Sequence, residues 1–306
     1  MGRFIIQRLI QGIIVVFLLT TVVFVVTRLV GDPVNVMLPL EATPELRAEF
    51  RHALGLDRPI IEQFWTYLAD LAQFDLGESL WQRRPAADVI AENLPYTMQL
   101  VFLSVALSVM IAVPLGTLAA SRPGRPRDQI TTATSLVGLS MPEFWVGLLL
   151  IVVFAVRLGW FPVAGAGTPL HYVLPVITMS LPIVAQLTMV VRSSMVDELN
   201  EPYIQTARAK NLSTSRIIGV HALRNASVPI LTLTGFELIR ALAGYTGLVE
   251  TVFAWPGLGF TASQAIFQQD LILLQAIVFV IAILVTVINI GIDILYKVLD
   301  PRIRLA

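Results

Sequence analysis

The sequence predicts an all-α polytopic membrane protein with six spanning helices, and three observations carry that prediction. Apolar residues make up 56% of the 306-residue chain and charged residues only 14%, against roughly 25% charged in an ordinary soluble domain. Six stretches are long and apolar enough to cross a bilayer. Basic residues crowd onto one side of those stretches. A soluble chain of this size must cover its surface with charge, so a disordered chain is excluded and a soluble enzyme is disfavoured; the mean hydropathy of +0.77 agrees.

A spanning helix needs about 20 mostly apolar residues to cross a core ~30 Å thick. The qualifying runs are residues 9–30, 97–120, 134–156, 172–191, 227–249 and 271–299. The first follows Arg3 and Arg8 like a signal peptide, but its apolar run is too long and no small-residue cleavage site follows it, so it reads as a retained anchor. With the N-terminus inside, the inner segments hold thirteen basic residues: Arg3, Arg8, Arg122, Arg125, Arg127, Arg192, Arg208, Lys210, Arg216, Arg224, Lys297, Arg302 and Arg304. The two short outer loops hold one, Arg157. That asymmetry places both termini in the cytoplasm. Pro114, Pro142, Pro175 and Pro182 fall within three of the spans. Each removes a backbone hydrogen bond that lipid cannot replace, which points to packed or water-lined helices along a moving pathway.

Residues 31–96 form the long outer segment, too long for a structureless loop. Thr43-Pro44-Glu45 starts a helix and Gly55 stops it; a second helix begins at Pro59, with Ile61, Phe64, Trp65 and Leu68 expected on one face. Eleven acids against five arginines leave this segment near −6, which reads as a solvated face, with a docking surface as the alternative.

Several chemistries are closed to the chain. Lys+Arg and Asp+Glu are both 21, so no basic footprint for nucleic acid exists. There are no cysteines, and His52, His171 and His221 lie far apart, so no metal site is predicted. The only lysines, Lys210 and Lys297, follow Ala209 and Tyr296; a phosphate-binding loop needs Gly-Lys-Ser/Thr. No Ser–His, paired-Asp or metal constellation suggests an intramembrane enzyme.

The most informative segment lies between the fourth and fifth spans. Glu201 and Pro202 suit a helix N-terminus. Lys210 suits the carbonyl end, and Asn211 can adopt the left-handed stop. Ser213 or Thr214 then caps a second short helix through Ala222. Ala207 and Ala209 are expected to keep the resulting corner thin enough to enter a groove, ringed by Arg208, Lys210 and Arg216.

This loop resembles the coupling loop of importer-type ABC permeases of the dipeptide/oligopeptide/nickel group. The matching residues are Tyr203, Thr206, Ala207, Arg208, Ala209, Lys210, Leu212, Arg216, Ile218, His221 to Asn225 and Pro229, with Asn211 where the family carries glycine. The likeness continues at Gly31-Asp32-Pro33, Leu54-Gly55-Leu56-Asp57-Arg58-Pro59, Leu158-Gly159-Trp160-Phe161-Pro162, Trp255-Pro256-Gly257-Leu258-Gly259 and Asp300-Pro301-Arg302-Ile303. The resemblance implies a type I permease fold in a bacterial inner membrane, with a periplasmic helical insertion after the first span. It divides the chain into residues 1–30 (N-terminus and first span), 31–96 (extracytoplasmic segment), 97–299 (permease core with coupling loop 193–226) and 300–306 (cytoplasmic tail). It also implies a second homologous permease, two ATPase subunits that bind ATP and Mg, and an extracytoplasmic solute-binding protein. No cofactor is then expected in this chain. The coupling residues carried over are Glu201, Tyr203, Ala207, Arg208, Ala209, Lys210, Asn211, Leu212 and Arg216.

Charges inside spans are costly unless paired or wet. Glu237 and Arg240, three apart on the fifth span, share a face and can pair. Glu143 and Gln186 are polar candidates for the same cavity, whereas Asp293 reads as structural. The resulting expectation is a pathway for di- or oligopeptides, with glutathione, a nickel chelate or another peptide-like solute as alternatives. An ion-coupled secondary transporter is disfavoured, since no inverted repeat or proton ladder is evident.

Overall fold

The computed structural model describes residues 2–30, 34, 38, 42–53 and 55–299. The Gly31-Asp32-Pro33 and Asp300–Ile303 motifs, and Leu54, lie outside the described residues. Among the described residues, five helices are long and apolar enough to span a membrane: Ile5–Leu29, Ala86–Ala120, Leu170–Leu199, Thr214–Val252 and Leu271–Leu295. The expected third span differs. Residues 134–156 fall on two helices, Pro126–Ser140 and Glu143–Arg157, bent by 97° at their junction. Pro142 supplies the reason: it cannot donate, and it forces Met141 out of the helical region, to φ −90° and ψ 127°. Taken as one broken span, the pair brings the number to six. Pro175 and Pro182, by contrast, lie inside an unbroken Leu170–Leu199.

The chain forms two compact units, residues 1–97 with 256–287 and residues 98–255 with 288–306. In the first unit, α1 (Gly2–Val30) is followed by α2 (Pro44–Ala53) and α3 (Ile60–Ala72), both as expected from their start and stop residues. Gly55 is left-handed at φ 65°. The expected shared face of α3 is divided: Phe64 packs on Phe24 of α1 at 5.2 Å between ring centres, whereas Ile61 and Trp65 are exposed. A two-stranded antiparallel hairpin, β1 (Glu78–Ser79) and β2 (Arg84–Pro85), was not foreseen. Its anchor is Asp270, fully buried, which accepts from Ser79 Oγ at 2.6 Å and from the Trp81 and Leu273 amides at 3.1 Å. A carboxyl group buried there is tolerable because three donors replace its water. The apolar core beneath joins Val89, Ile90, Leu258, Ala265, Leu273 and Ile277.

The second unit holds the rest of α4 (Ala86–Ala120), then α5 (Pro126–Ser140), α6 (Glu143–Leu150), α7 (Leu170–Leu199), α8 (Pro202–Ala209), α9 (Thr214–Arg216), α10 (Leu223–Arg240) and α11 (Thr246–Val252). Of the helices that follow, α12 (Leu258–Phe267) lies wholly in the first unit and α13 (Leu271–Leu299) is divided between the two at residue 287. Wide π-helical turns at Ile151–Arg157, Ile217–Ala222 and Ala241–Tyr245 extend α6, α9 and α10. The second helix of the corner therefore does not end at Ala222 as expected; it runs on to Val252 as one 39-residue rod. Nothing at Ala222 stops it, because Ala222 and Leu223 are both helical and the next proline, Pro229, is itself carried inside the helix. Close approach of α4 and α7 depends on Gly116, where a Cβ would lie 2.6 Å from Val191 Cβ and 2.7 Å from the Thr188 carbonyl oxygen.

Candidate functional site

Two constellations of polar residues stand out in the second unit. The first is the corner between α8 and α9. Glu201 is extended, at φ −67° and ψ 147°, and Pro202 takes the first helical position. At the far end Asn211 sits at φ 56°. Its amide donates to the Arg208 carbonyl at 2.9 Å, and the Leu212 amide donates to Ala207 at 3.3 Å. These paired bonds satisfy the last carbonyls of a helix closed by a left-handed residue. Ser213 has the extended backbone of a cap, but its hydroxyl lies against Ser215 at 3.3 Å and bonds no helix amide.

One side of this corner belongs to the chain's own core. Ile204 and Ala207 are buried with Val191, Met195, Ile217, Ala222 and Ala226, and Leu212 packs against the same group. Ala207 thus faces inward, so its small size serves internal packing, contrary to the groove-entry expectation. The other side is exposed and carries Arg208, Ala209, Lys210, Asn211 and Arg216. Tyr203 pins the corner to neighbouring turns: its hydroxyl donates to the Glu198 carboxylate and accepts from Asn225 Nδ2 at 2.9 Å. Partial burial and the bond to Glu198 push its phenol above the ordinary tyrosine value. Glu198 was not singled out from the sequence, because nothing in a solvent-facing helix end distinguishes it.

The second constellation gathers Gln186, Glu237 and Arg240 from α7 and α10. Arg240 Nη1 lies 3.3 Å from Glu237 Oε1 and 3.5 Å from Gln186 Oε1. The Glu237 residue is 1% exposed, whereas 44% of the Arg240 side chain is open. Glu143 interacts electrostatically with both charges, and its Oε2 is buried without a hydrogen-bond partner among the described residues. Tyr245 was missed: its hydroxyl donates to Glu237 Oε2 at 3.4 Å, and the Arg240 guanidinium lies 5.5 Å from its ring centre. It stands at the end of the Ala241–Tyr245 π turn, and such turns are frequent at functional sites. Also missed was the pairing of Arg192 with buried Asp128, whose Oδ2 accepts from Arg192 Nη2 at 2.7 Å and from the Gly124 amide at 2.8 Å.

Residues 112–305 match the family described as binding-protein-dependent transport system inner membrane component. The chain belongs to this family. Residues 1–101 match the N-terminal part that accompanies such inner-membrane components. The inner-membrane-component match takes in both the corner and the charged constellation.

Relatives of this permease family resemble the chain end to end. An oligopeptide transport system permease protein, AppB of Bacillus subtilis (strain 168), is 37% identical over 99% of this chain and 100% of its own length. The glutathione transport system permease protein GsiC of Escherichia coli (strain K12) is 36% identical over 99% of both chains. Among solved structures, a chain of the inward-facing MetNI methionine ABC transporter overlays with a TM-score of 0.59 at 18% identity, covering 69% of this permease and 96% of that chain. That likeness is one of fold, an all-α one.

Proposed function

We propose that this permease forms half of the translocation pathway of an ATP-driven importer of di- and oligopeptides, moved by cytoplasmic ATPases that dock at the 201–216 corner. The single observation that carries the reading is the two-sidedness of that corner. Ile204 and Ala207 lock it to α7 and α10, while Arg208, Ala209, Lys210 and Arg216 remain exposed. A push on the exposed side reaches the spanning helices through a packed core, because close-packed interiors transmit strain. In this arrangement both termini are cytoplasmic, residues 31–96 lie outside, and a second permease and an external solute-binding protein complete the particle. ATP and Mg belong to the ATPases. Switching a two-state pore from 1:99 to 99:1 takes on the order of 5.5 kcal/mol of differential binding, which closure of two ATPases on nucleotide can supply.

Within the pathway, Glu143, Gln186, Glu237 and Arg240 offer both signs of charge to a zwitterionic solute, and Tyr245 orients Glu237. Peptides carry one ammonium and one carboxylate, which is the complement of this set. Glutathione is the second reading, favoured by a relative of near-equal identity that is named a glutathione permease. The test is reconstitution in vesicles with the partner subunits and binding protein. Peptide uptake that requires ATP and is not displaced by excess glutathione supports the proposal. Uptake by this chain alone, driven by an ion gradient, overturns it.

A further inference from the structure

Helix α3, in the segment between the first two spans, divides its surface between two chemistries. Gln63, Thr66, Tyr67 and Asp70 line a cavity together with Arg28, Arg58 and Asp75, with Leu71, Leu76 and Ile272 also in its wall. At helical spacing, the opposite stripe is Ile61, Trp65 and Leu68. Ile61 is 69% exposed and Trp65 62% exposed. An apolar stripe facing water on a helix that already has a polar side is costly, at roughly 25 cal/mol for each Å². Its position resolves the conflict. Between the two stripes, the Phe64 ring lies 6.2 Å from that of Phe17 and 5.2 Å from that of Phe24, and Tyr67 stacks on Phe24 at 5.4 Å. Phe17 and Phe24 belong to the Ile5–Leu29 span, the first at its middle and the second toward its Leu29 end, so Phe64 packs beside the half of that helix that ends at Leu29. Only 17% of the apolar window of this span is buried within the chain, and its Phe17, Val22 and Val25 are exposed.

We infer that α3 is an interfacial helix, seated in the bilayer leaflet at the Leu29 end of the first span, with Ile61, Trp65 and Leu68 in contact with acyl chains. The occupant of this face is lipid: the helix packs side-on against a spanning helix that is itself little buried, and tryptophan and arginine, here Trp65 and Arg58, are residue types that straddle a membrane boundary. Phe74, just beyond the helix, is held left-handed at φ 59° and is 75% exposed.

The chain has no cysteine, so Ile61→Cys, Trp65→Cys and Glu62→Cys each give a single site for a spin label. They are placed in the full chain, assembled with its partner subunits in phospholipid nanodiscs. Collision with oxygen is expected to exceed collision with a water-soluble nickel complex at positions 61 and 65, with the order reversed at 62. Nickel exceeding oxygen at position 61 means a solvated face and overturns the inference. Exclusion of both reagents there means a covering protein surface and overturns it equally. As a label-free check, Trp65→Phe is expected to remove part of the tryptophan fluorescence that brominated lipids quench; an unchanged quenched fraction contradicts lipid contact.

Discussion

The corner at residues 201–216 and the constellation around Glu237 are built in opposite ways. The corner is local: a proline start, a left-handed Asn211 and two backbone bonds shape it within a dozen residues. Its charges are exposed and cost little. The Glu237 constellation is assembled from three helices, and its acid is almost wholly buried. A local device can present charge to a partner without endangering the fold. A buried one binds function and stability together, because a charge stripped of its partner in low dielectric cannot recover its hydration. Mutations should therefore separate function from folding at the corner and fail to do so at the constellation.

The largest effect should come from Arg240→Ala, which leaves Glu237 buried beside Glu143 without its cation. Breaking such a pair costs about 3–5 kcal/mol, so thermal unfolding of the purified complex should move sharply downward. Adding Glu237→Gln should restore much of that loss while uptake stays impaired. If the double variant transported every substrate normally, the pathway role would fail and only an internal ion pair would remain.

At the corner, Ala209→Trp should leave unfolding unchanged and reduce ATP-driven uptake. A clash that weakens docking by about 1.4 kcal/mol lowers affinity by about tenfold, and this reads out as lost ATPase stimulation. Ala207→Leu sharpens the contrast, because that side chain points into the core. Overpacking there should cost about 1–3 kcal/mol of stability, a loss visible in assembly before any in coupling.

Smaller still is Asn211. Asn211→Ala puts an ordinary side chain at φ 56°, at a cost of about 1–2 kcal/mol, whereas Asn211→Gly should match or exceed the parent in thermal stability. The smallest effect belongs to Tyr203. Its phenol is raised above 10.0 by burial and by Glu198, so its contribution is complete below pH 10 and fades as pH climbs through the folded-state value. Tyr203→Phe should remove that alkaline loss, and at neutral pH it should cost no more than about 1 kcal/mol for the hydrogen bonds. Alkaline titration of unfolding for the two proteins provides the comparison.

Much of this was legible in the sequence, for identifiable reasons. The spans follow from apolar length, and the α2 and α3 starts from Pro44 and Pro59. The stop at Asn211 follows from the few residue types that tolerate a left-handed backbone. Glu237 with Arg240 could be paired because they lie one helical turn apart. Arg192 with Asp128 could not, since 64 residues separate them and no local rule joins them. Tyr245 was hidden for a related reason: an α-helical wheel misplaces a residue that lies beyond a π turn. The hairpin at residues 78–85 escaped notice because each strand is two residues long, shorter than any alternation can reveal.

The permease reading came from the resemblance of the chain's motifs to a family; composition, apolar length and the backbone preferences of proline, glycine and asparagine determined by themselves that it is a multi-pass helical membrane protein with a bent corner at residues 201–216. These are properties of a residue and its near neighbours, and they act before the chain is compact. Tertiary structure alone decided that Pro142 breaks a span while Pro175 does not, that Ala207 faces inward, and that Glu143, Gln186, Glu237, Arg240 and Tyr245 share one site. Those outcomes depend on which helices meet, and that is settled by the total surface removed from water and lipid rather than by any single stretch of sequence.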